Sequence, residues 1–116
     1  MVHPSLSLKE EKALQEFKAS LVSKYCDKLV LIELFGSKAR GDYNQYSDLD
    51  ILVVTENKDP VLNRKISDLA FDIGLKFNLC LSLKILDKTF FGKLENLGAF
   101  FIESIKKEGI ILWKKN

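Results

Sequence analysis

Two short stretches of the chain carry residue types that could do chemistry together. The first is Gly36-Ser37-Lys38-Ala39-Arg40-Gly41; the second, after residues 42–47, is Asp48-Leu49-Asp50. Alternate residues of a strand project from one face, so Asp48 and Asp50 point together where a strand begins. Two carboxylates within roughly 7 Å of each other repel unless a cation lies between them. A hard divalent ion such as Mg²⁺ suits that position, because it takes one or two carboxylates and completes its shell with substrate phosphates. Gly36 follows an apolar run and allows close backbone approach, so N–H groups and the Ser37 hydroxyl can face an anion. Arg40 adds a cationic donor. A phosphate cradle beside a metal-binding pair suits phosphoryl or nucleotidyl transfer, in which cations and donors stabilise charge on the phosphorus oxygens.

The flanking patterns supply the elements that must hold these residues. Leu29 to Phe35 reads as a mostly buried strand running into Gly36, with one short helical turn over Ser37–Arg40 ended by Gly41. Asp42 to Ser47 is polar and reads as a loop, and Leu49 to Val54 as a second strand with Leu49, Ile51 and Val53 turned to the core. Ahead of them, Ser7-Leu8-Lys9-Glu10 is a capping box that opens a helix from Leu8 to Tyr25, with Leu14, Phe17 and Leu21 on one face. Asp59-Pro60 caps a second long helix bearing Leu62, Ile66, Leu69, Ile73 and Phe77, and Asn78 is its expected left-handed stop. Leu79 to Leu86 alternates as a strand with Cys80, Ser82 and Lys84 opposite the leucines. A short Phe-rich helix over 87–96, a last helix over 100–107 stopped by Gly109, and a strand over 110–113 complete the order α-β-β-α-β-α-α-β. That order predicts an α+β fold: a mixed sheet with helices on at least one face, the whole of 1–116 forming a single domain.

Composition narrows the function classes. The chain has 116 residues, 47% hydrophobic and 29% charged, which is enough apolar material for a core without metal or disulfide staples. A net charge of +2 is too small a surplus for a dedicated nucleic-acid surface. Cys26 and Cys80 have no CxxC or Cys/His companions, so neither a disulfide scaffold nor a thiolate zinc site is expected. Both read as buried thiols in a reducing, cytoplasmic setting. No apolar run approaches the ~18 residues that span a bilayer, and no signal peptide is visible. His3 is the only histidine and takes no catalytic role. Phe90, Phe91, Phe100, Phe101 and Trp113 are expected in the core, and Lys106-Lys107 and Lys114-Lys115 in solvent.

Gly36-Ser37-x-Ala39-Arg40-Gly41 followed by Ser47-Asp48-x-Asp50 resembles the signature of the DNA polymerase β-like nucleotidyltransferase superfamily. More narrowly, the chain is similar to the minimal nucleotidyltransferases, including the antitoxin halves of HEPN-type toxin–antitoxin pairs. The resemblance extends from the helix ahead of the first strand to the closing strand. It implies the polymerase β-like palm fold, ATP-type nucleotide use and two Mg²⁺ ions held by aspartates, with Asp48 and Asp50 catalytic and metal-binding, and Gly36, Ser37, Arg40 and Ser47 at the nucleotide. One departure stands out. The superfamily places a third carboxylate on the next core strand, on the face shared by the first two, and here that position falls on Ser82.

Two functions from different classes follow. One is an enzyme that moves a nucleoside monophosphate, AMP from ATP, onto a hydroxyl acceptor, such as one on a partner protein in the manner of an antitoxin; the intact turn and aspartate pair favour it. The other is a degenerate nucleotide-binding module that docks on a partner, which Ser82 and the small size favour. Either way the expected companions are ATP or another NTP and a HEPN-type helical protein or a second copy of the chain; neither a membrane nor nucleic acid is indicated.

Overall fold

The computed structural model describes residues 6–41 and 48–116. The expected loop over 42–47, and with it Ser47, lies outside the described residues, as does His3. Helix α1 spans Leu8–Tyr25 and ends in a short 3₁₀ turn, Cys26–Lys28. Strand β1, Leu29–Phe35, runs into the short helix α2, Gly36–Arg40. Then come β2 (Leu49–Thr55), α3 (Pro60–Phe77), β3 (Leu81–Asp87), α4 (Lys88–Asn96), α5 (Phe100–Glu108) and β4 (Ile110–Lys114).

The strands form one mixed sheet in the order β3-β2-β1-β4. β1 pairs antiparallel with both β2 and β4, while β2 and β3 pair parallel. A parallel pair needs a crossover, and α3 supplies it. Its start is fixed as the sequence implies: the Asp59 carboxylate accepts from the Leu62 amide at 3.1 Å, and Pro60 takes the first turn. Its end is fixed by Asn78 at φ 54°, after which the Leu79 amide donates to the Gly74 carbonyl at 2.9 Å. That closure spends Leu79 on the helix stop, so β3 begins at Leu81 rather than Leu79.

The two faces of the sheet are covered unequally. Phe17, Leu14 and Leu21 of α1 and Leu62, Ile66 and Ile73 of α3 pack on Ile32, Leu34, Leu49, Ile51 and Val53 to make the main core. The opposite face carries a smaller cluster in which Leu52, Val54 and Ile105 are buried, with Phe35, Phe91 and Phe101 half-buried beside them. The phenylalanine expectation holds only for the inward partner of each pair: Phe91 and Phe101 meet the sheet, whereas Phe90 and Phe100 are exposed. Successive helical residues are about 100° apart, and α4 and α5 each turn one phenylalanine of the pair to the sheet and the other to solvent. Trp113 is half-buried against the main core. The cysteines also depart from expectation, because both are free and exposed. Cys26 sits in the turn after α1, and Cys80 lies just ahead of β3 on the face opposite the core-facing leucines, so apolar sequence neighbours do not bury either thiol. No described helix is long and apolar enough to cross a membrane.

Candidate functional site

The site forms where β1 exits and β2 enters. In the antiparallel register Phe35 lies opposite Asp50, so Gly36, the next residue, comes against the aspartate side chain. Gly36 has φ +77°, and a Cβ built there would overlap Asp50 Oδ2. Glycine is thus required twice over, for the left-handed backbone and for the close approach of the turn to the carboxylate. Gly41, at φ +84°, ends α2 as expected.

Asp50 is half-buried on the smaller-core face of β2, and Asp48 is exposed one residue before the strand begins. The Leu49 amide between them donates to the Cys80 carbonyl at 3.0 Å, which extends the β2–β3 ladder to the site. Burial holds the Asp50 carboxyl above the usual carboxylate range; the Asp48 charge adds to that and Arg40 opposes it. Cys80 lies beside the pair, and desolvation followed by the charges of Asp48 and Asp50 pushes its thiol up. It is therefore a neutral thiol at the rim, on the face to which the alternation of residues 79–86 assigned it together with Ser82.

Ser82 lies opposite Asp50 in the parallel register and shares its face. It is half-buried there, away from the α1/α3 side, where Leu81, Leu83 and Ile85 pack. Lys84, two residues on, is exposed and places its amine 5.3 Å from the centre of the Phe101 ring. The cation that draws Asp50 down is Arg40, which also sits 3.8 Å from Glu108 of α5. Ser37 is the second residue of α2. Lys38, read from the sequence only as the open position of the motif, is buried, with its amine 2.7 Å from Glu10 of α1.

Two close carboxylates, one desolvated and destabilised in its charged form, make a donor set that fits a divalent cation. Among the described residues no group of three or more His, Cys, Asp or Glu side chains is placed to hold a metal. The pair therefore fits an ion that brings further oxygens with it, as a nucleotide-bound magnesium does.

The nucleotidyltransferase domain family matches residues 11–112. The chain belongs to that family. A relative in Methanocaldococcus jannaschii, "Putative protein adenylyltransferase MJ0604", is 36% identical over 107 residues, covering 91% of this chain and 100% of the relative. A solved "putative minimal nucleotidyltransferase" matches with TM-score 0.58 and 23% identity, covering 93% of this chain and 98% of that one. A toxin–antitoxin structure with AMP-PNP matches with TM-score 0.56 and 22% identity, over 88% of this chain and 74% of that one. This nucleotidyltransferase domain thus has the minimal nucleotidyltransferase fold, the mixed sheet of the polymerase β-like group.

Proposed function

We propose that the chain, acting as one domain over 1–116, binds a nucleoside triphosphate with Mg²⁺ and transfers its nucleoside monophosphate, adenylate from ATP, to a hydroxyl on a partner protein. The observation that carries this reading is the contact between its two halves: the Gly36 turn lies against Asp50, and Asp50 is coupled to Asp48. Asp48 and Asp50 would hold the metal, which when bound would neutralise charge on the phosphate oxygens. The turn at Gly36 and Ser37 would receive the triphosphate, with Arg40 beside it and Ser47 close in sequence. The acceptor oxygen bonds to the α-phosphorus, the bond to pyrophosphate breaks, and the acceptor's proton leaves to a carboxylate or water. The relative's adenylyltransferase name and the AMP-PNP in a similar fold support ATP and a protein acceptor. A HEPN-type helical protein or a second copy of the chain is the partner this reading implies, and the free cysteines suit a reducing, cytoplasmic setting.

Ser82 favours a second reading. It stands beside Asp50 where a third carboxylate would complete the set, and a serine hydroxyl is a weak, neutral ligand. With two carboxylates the nucleotide's own metal can be held while the acceptor side lacks its ligand and base, which describes a nucleotide-dependent docking module. Calorimetry with Mg-ATP tests the shared site. Wild type should bind and Asp48→Asn/Asp50→Asn should not; equal binding by both would refute the site. Transfer of label from α-phosphate-labelled ATP to co-expressed partner protein then separates enzyme from module.

A further inference from the structure

Lys38 is 1% exposed, and its amine lies 2.7 Å from Glu10 Oε2, itself on a buried residue. We propose that Lys38, acting through Glu10, is a positioning residue that fixes the nucleotide turn against the first turn of α1; this rests on the nucleotide site proposed above. Helix α2 has five residues, too few to hold its own shape or direction. Its placement depends on what it buries, namely Ala39 and Lys38. A buried ammonium is tolerated only beside counter-charge and hydrogen-bond partners, so the contact with Glu10 helps fix where α2 sits.

Glu10 is in turn held in place. Its amide donates to Ser7 Oγ at 3.1 Å, and its Oε1 accepts from the Ser7 amide at 2.8 Å. Burial by itself would raise the Glu10 carboxyl, but the hydrogen bonds from Lys38 and Ser7 outweigh it and hold it below the usual range. One carboxylate thus closes the cap of α1 with one oxygen and anchors α2 with the other. The chain Ser7–Glu10–Lys38 ends two residues from Gly36, whose backbone lies against Asp50. A buried ion pair contributes little net stability compared with an apolar pair of the same size, and registry is its best-attested use. Coupling between sites is reciprocal, so a nucleotide that holds the turn should also hold the first turn of α1.

The test is Mg-ATP calorimetry, together with hydrogen exchange at the amides of residues 8–11 with and without Mg-ATP. Lys38→Met removes the charge and keeps most of the stem; it should weaken Mg-ATP about tenfold or more, while Lys38→Arg stays within about threefold. In wild type Mg-ATP should slow exchange in that first turn, and in Lys38→Met it should not, a difference that general destabilisation would not produce. Should Lys38→Met not fold, Glu10→Gln/Lys38→Met replaces the pair with neutral groups of like size, and the same loss of affinity is expected. A folded Lys38→Met or double variant that binds within about twofold of wild type would overturn the positioning role alone. Wild type that takes up no Mg-ATP would overturn the nucleotide site and this role with it.

Discussion

Asp50 is half-buried beside Asp48, and both facts disfavour its charged form in the folded chain. A carboxyl whose pKa is raised on folding adds stability below its ordinary pKa, and that stability is lost as pH rises through the raised value. Near neutral pH and without divalent ions, the protein therefore carries an electrostatic cost that Asp50→Asn removes. The variant should melt at or above the wild-type temperature while losing Mg-ATP binding, as read by thermal unfolding and calorimetry on the same samples. A clear fall in melting temperature would mean that Asp50 serves a structural partner instead. This residue was legible in the sequence because strand alternation and the spacing to Gly36 are local patterns. Lys38 and Glu10 were not: each was visible alone, one as an open motif position and one as a capping residue. Only the packing of α2 on α1 brings their charges together.

At the scale of elements, the parallel pairing of β2 with β3 decides what stands beside the aspartates. Register sets Asp50 opposite Ser82, and neighbouring strands are about 4.8 Å apart, within reach of one shared cation. Ser82→Asp should therefore create a three-carboxylate set on one face. Mn²⁺ titration in the presence of AMP-PNP should rise from one bound ion in wild type to two in the variant. The metal-free variant should also melt lower, because a third like charge joins the pair. Unchanged stoichiometry in a folded variant would show that Ser82 does not face the ion. The order of elements and most of their ends were legible because capping residues, Pro60 and glycine stops are local chemistry. The start of β3 and the outward Phe90 and Phe100 were not, since they depend on how the stop of α3 consumes Leu79 and on which side of α4 and α5 meets the sheet.

At the scale of the molecule, the sheet divides the apolar interior into unequal parts, and the site opens on the weaker side. The α1/α3 side buries Phe17, Leu21, Ile66 and Ile73 fully or nearly so, each worth about 1.5–3 kcal/mol. On the other side α4 has no buried residue and α5 has only Ile102 and Ile105. Around them Phe35, Phe91 and Phe101 are only half-buried, and the remaining ties are at the surface: Lys106 with Glu95 between the two helices, and Glu56 bridging Lys88 at 2.7 Å and Lys115 at 2.9 Å. Exposed pairs of this kind contribute little and are screened by salt. Regions with few buried apolar contacts open at lower free energy than the global transition. Native-state hydrogen exchange should thus show α4 and α5 opening before α1 and α3, with added salt widening the gap. Ile66→Ala should cost about 2–5 kcal/mol of global stability, while Ile105→Ala should act mainly by lowering protection in α5. Equal protection in both layers would mean that the smaller cluster is coupled to the main core through the sheet. Asp50 and Ser82 share their face with this looser layer, and α5 carries Glu108, which sits 3.8 Å from Arg40. Opening of α5 would release Arg40 from Glu108, so Mg-ATP that recruits Arg40 should change the exchange of α5 while leaving α3 as it was.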